Sequence, residues 1–473
     1  MGGNSSRETV TRRQLFRWLG WFAMANAIVL GLIGLRYLDS GFAGTTPLAW
    51  VYLVSIYLSH YSWLALLPLL VVVSPFILLK PAWRWVRLPA VLLMAVMIAI
   101  IMLDSLLWSQ SRFHINILTL KILGSSSLIF AAVMFFIALV FESLLAGRIW
   151  SWVTSAPAHK GRLLGAVIEV CFVVAQGIYA WADASYYVPV TSIAQQLPVQ
   201  RGFTAKKLLV RYGLVDISQS RERQLAKRVA AGPGQSGAAS LNYPLAPLQC
   251  TTVAPLNLLI VMVDAMRSGL LKRGFTPNLD QLADARATRF ANHFSGGNSS
   301  RMGAFSLFYG LPPGYFASFE ALQKPPVLMD QLMASNYQLG LFSSGNLYRP
   351  VTLDRTAFAN VANLRIETKP VDAAAWQRDR IMTDEWMAWL DQRVPEQPFF
   401  GFLFYDAAND MTYPPEFTGR VEVLPDDPPA EKFVDYKTAV LIVDGLIGRV
   451  LADLEERGLA DDTVVIITSD HGE

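Results

Sequence analysis

Leu258–Asp264 reads LLIVMVD, and Val464–Thr468 reads VVIIT, followed by Ser469, Asp470, His471, Gly472 and Glu473. An unbroken apolar run that stops on a carboxylate reads as a strand buried in a parallel sheet. Ligands of open α/β sheets sit off the carboxyl ends of the strands. Asp264 is therefore expected where chemistry happens, and Asp470 and His471 close the second run in the same way. Two carboxylates and an imidazole brought to one point suit a hard divalent cation.

Working outward, Gln338–Phe342 and Phe399–Tyr405 read as further strands. Asn278–Ala285, Val327–Ala334, Ala373–Leu390 and Phe433–Arg457 have helical periods. This alternation predicts a mostly parallel sheet covered by helices on both faces. After the first strand comes His293–Gly303, HFSGGNSSRMG, with a helix expected over Met302–Tyr309. A Gly-rich turn entering a helix presents backbone N–H groups to an anion. A serine there is either a nucleophile activated by a metal or a helix cap; with acids before and after it, the nucleophile is the favoured reading.

The 473 residues exceed one ordinary domain. Five apolar runs are long enough to cross a bilayer, which takes about 20 residues each: Leu15–Leu35, Val51–Leu79, Leu88–Trp108, Leu128–Leu145 and Leu163–Ala182. The first is read as an anchor. Arg7, Arg12, Arg13 and Arg17 precede it; Lys80, Arg84 and Arg87 separate the second and third runs; Arg148, Lys160 and Arg162 separate the fourth and fifth. The opposite loops carry only Arg112 and Lys121, with Arg36 at a helix end. The positive-inside rule then puts the amino terminus in the cytoplasm and everything after Tyr187 outside, in the periplasm of a Gram-negative cell. Asp104, His60 and Glu142 in the spans are read as interfacial groups or helix–helix hydrogen bonds, since five spans without an internal repeat fit an anchor better than a transporter. The expected layout is a five-helix transmembrane domain over 1–187, a basic linker over 188–250 and a soluble α/β domain over 251–473.

In the linker, Thr204–Leu214 (TAKKLLVRYGL) has a helical amphipathic period with Lys206, Lys207 and Arg211 on its polar side. A second basic run, Arg221, Arg223, Lys227 and Arg228, follows, and Gly232–Ser240 reads as a flexible connector. Beside a bilayer, such cations can meet anionic headgroups. The net charge of +3 says little about partners, and no nucleic-acid partner is expected. Cys171 lies in an apolar run and Cys250 in the linker, so no intrachain disulfide is expected.

VMVDAMRS, SGGNSSRMGAFSLFYG and TVVIITSDHGE together resemble the sulfatase-like branch of the alkaline phosphatase superfamily, the group that holds lipoteichoic acid synthases and phosphoethanolamine transferases. YAWADASYYVPVT, LPVQRGFTAKKLLVRYGL and LFYGLPPGYF resemble the inner-membrane protein family called PbgA or YejM, so the resemblance spans nearly the whole chain. It implies an alkaline phosphatase/sulfatase-like fold and a divalent metal (Zn²⁺, Mn²⁺ or Mg²⁺) held by Asp264, Ser299, Asp470 and His471, with Ser299 as nucleophile. It also implies binding of lipid A, lipopolysaccharide and cardiolipin, the first around Thr204, Lys206, Lys207 and Arg211. A role in envelope lipid balance follows, through inner-membrane partners that control proteolysis of an enzyme of lipopolysaccharide synthesis. The alternative role is a metal-dependent phosphatase or phosphotransferase acting on lipid headgroups.

The chain departs from the pattern in three places. Arg301 stands where such transferases usually carry Asp, two places after the nucleophile. Gly297 and the missing Pro break the C/S-x-P-S-R signature of true sulfatases, which favours phosphoester over sulfate-ester chemistry. Tyr405–Pro414, YDAANDMTYP, lacks the His pair that many relatives place after this strand. Relatives continue beyond the motif in which Glu473 falls, so a carboxyl-terminal truncation is expected.

Overall fold

The computed structural model describes residues 10–38, 46–111, 114–116, 124–155, 161–231, 241–246, 248, 256–419, 421 and 431–473. The connector Gly232–Ser240, Cys250, and the flanking charges Arg7, Arg112, Lys121 and Lys160 lie outside them. The chain divides into two units, Met1–Ser240 and Leu241–Glu473.

Five long helices build the first unit: α1 (Arg12–Gly34), α2 (Pro47–Leu79), α3 (Trp83–Ser111), α4 (Ser125–Ser155) and α5 (Arg162–Ala184). All five are long and apolar enough to span a membrane. Each extends past the apolar run that marked it, because polar and aromatic residues continue the helix beyond the hydrocarbon-length stretch. Local chemistry sets the starts. Thr11 and Gln14 form a reciprocal capping box on α1, with Gln14 N donating to Thr11 Oγ1 at 3.3 Å and Thr11 N donating to Gln14 Oε1 at 2.9 Å. Thr46 caps α2, and Pro47 takes the first helical position, where its missing N–H costs nothing.

Trp18, Phe22, Leu30, Tyr52 and Leu69 lie in the shared core. Large apolar side chains also point outward: Leu79 is 81% exposed and Leu163 78%. That inversion is what a hydrocarbon solvent permits. Polar groups inside the bundle bond across helices: Asn26 Nδ2 donates to Glu142 Oε2 at 3.1 Å and Trp18 Nε1 to the Ala146 carbonyl at 3.1 Å. Three short helices follow: α6 (Val188–Gln196), α7 (Lys206–Arg211) and α8 (Ile217–Ala231).

The second unit carries a four-stranded parallel sheet ordered β2-β3-β1-β4, with β1 Asn257–Val263, β2 Gln338–Ser343, β3 Phe399–Tyr405 and β4 Thr463–Ser469. Successive strand residues face opposite sides. Leu259, Val261 and Val263 lie in one core beneath the helices Ala375–Gln392 and Glu431–Glu456. Ile260 and Met262 lie in a second core with Phe305, Phe308 and Met329, from helices Ser300–Tyr309 and Val327–Ala334. The expected α/β layering is thus present, with the four strand runs and the helices close to their sequence positions.

Register sets up the site. Val263 pairs with Tyr405 on one side and with Ser469 on the other. The next residue on each strand is an aspartate, so Asp264, Asp406 and Asp470 leave the same end of the sheet. Adjacent strands lie about 4.8 Å apart.

Candidate metal centre

Asp264, Asp470 and His471 each offer a ligand atom, and these atoms lie within 4.8 Å of one another. Asp264 is 5% exposed and Asp470 1%. His471 Nε2 is 3.3 Å from Asp264 Oδ1 and 3.7 Å from Asp470 Oδ2.

The turn after β1 is pinned to the end of β4. Ala265 N–H donates to Asp470 Oδ1 at 3.1 Å and Met266 N–H to Ser469 Oγ at 3.0 Å, while Ser469 Oγ donates to the Val263 carbonyl at 2.7 Å. Ala265 has φ +60°, a left-handed conformation that a non-glycine residue adopts only when its surroundings impose it. The Tyr436 hydroxyl, donating to the Ala265 carbonyl at 2.8 Å, helps impose it.

The hydroxyl in the cluster belongs to Ser300, which corrects the assignment to Ser299. Ser300 Oγ lies 3.3 Å from both carboxylate oxygens of Asp264 and 3.3 Å from His471 Nε2, and the residue is buried. Ser299 is exposed, has extended backbone (φ −164°) and only precedes helix Ser300–Tyr309; no hydrogen bond from its side chain caps that helix. Two adjacent serines at a helix start point in different directions, because a helix turns about 100° per residue. Gly303 lets the helix come this close: a Cβ there would lie 1.9 Å from the Asp470 carbonyl oxygen. Arg301 turns away, donating through Nε to the Pro350 carbonyl at 3.0 Å and covering the Phe316 ring.

The cluster is short of positive charge. Asp470 Oδ1 accepts N–H groups from Ala265 and His471, but Oδ2 is buried with no hydrogen-bond partner among the described residues. His471 Nδ1 lies 3.1 Å from the Gly472 carbonyl, which can only accept, so this nitrogen carries the proton. His471 Nε2 faces two carboxylates. Burial pushes the Asp264 carboxyl well above the usual carboxylate range, and the nearby charges of Asp470 and Asp406 push it further. An orphaned acceptor, an inward-facing imidazole nitrogen and crowded acids fit a divalent cation.

Asp406 was missed by the sequence reading, although Phe399–Asp406 has the same signature as Leu258–Asp264: an apolar run ending on an acid. Its environment differs. Arg378 Nη2 donates to Asp406 Oδ2 at 3.0 Å, and the Asp406 and Ala407 N–H groups donate to buried Asp379 at 3.0 Å each. Burial raises the Asp406 carboxyl and Asp410 adds to that, while Arg378 opposes both. Asp406 is thus already paired.

The linker positions split. Lys207, Arg211 and Thr204 are exposed. Lys206 is 7% exposed with its Nζ 5.4 Å from the centre of the Tyr186 ring, so it leaves the polar side expected for it. The amphipathic helix expected over Thr204–Leu214 is confined to Lys206–Arg211. In the second basic run, Arg221 is 2% exposed and bonds Glu222 at 2.7 Å.

A helical membrane unit followed by a sulfatase-like parallel sheet with an acid–imidazole centre is the class of protein that fold and site define. The chain belongs to the family described as "Domain of unknown function (DUF3413)", whose model matches residues 5–250, while the model described as "Sulfatase" matches residues 256–473. It is 29% identical over 487 residues to the "Inner membrane protein YejM" of Salmonella typhimurium, covering 98% of this chain and 77% of that one. An uncharacterised protein of Haemophilus influenzae is 28% identical over 486 residues, covering 99% and 75%. The resemblance to the PbgA or YejM family is thereby met. Among solved structures, the lipoteichoic acid synthase LtaP of Listeria monocytogenes aligns at 20% identity with a TM-score of 0.38, over 46% of this chain and 56% of that one. The five apolar helices and the similarity to an inner-membrane protein support an inner-membrane location.

Proposed function

We propose that the soluble unit is a divalent-metal-dependent phosphoester site, hydrolase or transferase, with Ser300 as its nucleophile and lipid headgroups as its substrates. The observation that carries this reading is the convergence of Ser300 Oγ with Asp264 and His471 beside the orphaned Asp470 Oδ2. Asp264, Asp470 and His471 would hold the cation. When bound, it supplies charge neutralisation at a phosphoryl oxygen and favours the alkoxide of a neighbouring hydroxyl. Asp264 orients the Ser300 hydroxyl and accepts from it. Ala265 N–H and His471 N–H hold one Asp470 oxygen, so the other keeps its place. The Ser300 oxygen forms the new bond to phosphorus as the bond to the headgroup oxygen breaks; water or a second alcohol then takes the phosphoryl group. Membrane tethering makes a lipid the natural substrate, with the amino terminus cytoplasmic and the soluble unit periplasmic by the distribution of Lys and Arg.

The test is metal content and phosphomonoester turnover of the purified full chain. Bound Zn, Mn or Mg is expected, with turnover lost in Ser300→Ala and kept in Ser299→Ala. Turnover that survives Ser300→Ala, or is lost equally in Ser299→Ala, removes Ser300 from the role.

A second reading, a lipid-binding regulator of envelope lipid balance acting through membrane partners, is favoured by the linker. Phe203, Leu208, Tyr212 and Leu214 are 56–69% exposed beside the exposed cations Lys207 and Arg211. Exposed apolar and aromatic groups interleaved with cations suit a surface of anionic lipid such as lipid A or cardiolipin. The two readings are compatible, since they rest on different residues.

A further inference from the structure

A cavity of about 460 Å³ lies between α1, α2 and α5 in the membrane unit, apart from the linker cations and the metal centre. Its walls include Trp21, Trp63 and Leu66, and its rim residues Phe16 and Leu164 are 38% and 40% exposed, so it opens sideways from the bundle. The volume is in the range of ligand sites, about 300–1,000 Å³.

Charge is concentrated at one end. Arg17, near the start of α1, and Arg162, the first residue of α5, both line the cavity. Four crossings separate them if every long helix spans, so both helices start at the same face of the bilayer, the face of the amino terminus. Arg17 Nη2 donates to the Val153 carbonyl at 3.0 Å, which holds the guanidinium at this end of the slot. Glu169 also lines the cavity, seven residues beyond Arg162 and so about 10 Å deeper along the axis. An acid at that depth is no partner for an anionic group, which leaves the arginine rim as the place for one.

We propose that this cavity is a lipid site. One acyl chain of an anionic glycerophospholipid from the leaflet on the amino-terminal side enters the apolar slot, and its phosphate lies against Arg17 and Arg162. Guanidinium forks suit a phosphate because they offer parallel N–H donors at fixed spacing.

The full chain, reconstituted in nanodiscs holding phosphatidylethanolamine with a minor fraction of phosphatidylglycerol, is released into the gas phase and its retained lipids are counted by native mass spectrometry. Wild type is expected to retain phosphatidylglycerol above its share in the disc. Arg17→Gln with Arg162→Gln should lower that enrichment about tenfold, by loss of two headgroup cations. Leu66→Trp, which fills the slot and leaves both arginines in place, should lower it as well, which covers the case in which the double variant fails to fold. Enrichment unchanged in correctly folded samples of either variant overturns the site. Preferential retention of phosphatidylethanolamine that is lost in Glu169→Gln overturns the anionic assignment in favour of an amine headgroup. Neither result depends on phosphoester turnover, so the metal centre stands or falls separately.

Discussion

Among the described residues each unit holds an acid–imidazole cluster, and the two are finished differently. In the membrane unit, Asp104 is 3% exposed; its Oδ1 accepts the Ile115 N–H at 2.5 Å, and its Oδ2 is met at 2.7 Å by both the Tyr37 hydroxyl and His114 Nδ1. His114 Nε2 reaches the Gln195 carbonyl at 3.2 Å, and Trp108 stacks on the ring. Every acceptor of that carboxylate is occupied by the protein, and the cluster ties the end of the first span to α3 and α6. In the soluble unit, Asp470 Oδ2 has no donor among the described residues and His471 Nε2 faces acids. A buried polar group without a partner calls for an explanation, and a bound cation would supply one. The saturated cluster is a fastener, and the unsaturated one is the candidate metal centre.

The same chemical change should therefore have opposite effects at the two places. The largest effect expected is on turnover: Asp470→Asn or chelation should remove phosphoester hydrolysis, by roughly a thousandfold or more, read as initial rates with and without added Zn²⁺, Mn²⁺ or Mg²⁺. Asp104→Asn should leave turnover alone but destabilise the membrane unit by roughly 3 kcal/mol, because an amide sets a donor against the Tyr37, His114 or Ile115 donors. Thermal melting of the full chain in detergent would reveal this, and an unchanged midpoint would erase the contrast.

Gly303→Ala comes next. Its methyl would collide with the Asp470 backbone, which cannot retreat without moving the end of β4. A loss of about 2 kcal/mol in stability of the soluble unit is expected, with a fall in metal affinity measured by titration. Asp470→Asn also has a smaller, opposite signature: in the metal-free protein it removes one of the crowded acids beside Asp264, so stability should rise by on the order of 1 kcal/mol, seen as an upward shift of a few degrees in the soluble unit's transition. The smallest effect separates two adjacent lysines. Lys207→Ala with Arg211→Ala should weaken binding to anionic vesicles several-fold, lessened by salt. Lys206→Ala should act mainly through lost contact with Tyr186, seen as faster hydrogen exchange around α7 with a smaller change in vesicle binding.

Much of this was legible in the chain before any coordinates. Leu258–Val263 is apolar throughout because both faces of that central parallel strand are covered, whereas β4 leaves Val464 and Ile466 exposed; an acid that ends such a run has only the sheet's rim to occupy. The same rule would have yielded Asp406 had Phe399–Tyr405 been followed one residue further. The five spans were readable because hydrocarbon demands length and apolarity from each helix on its own, with no reference to its neighbours. What tertiary structure alone decided are the questions of direction and partner. Ser300 rather than Ser299 enters the cluster because helix Ser300–Tyr309 packs on Asp470 through Gly303, a contact between residues 167 positions apart. Lys206 folds onto Tyr186 while Lys207 faces outward, and Asp406 is neutralised by Arg378 while Asp470 is left open. Periodicity tells which residues share a face; which atom meets which is set by packing between segments that are distant along the chain.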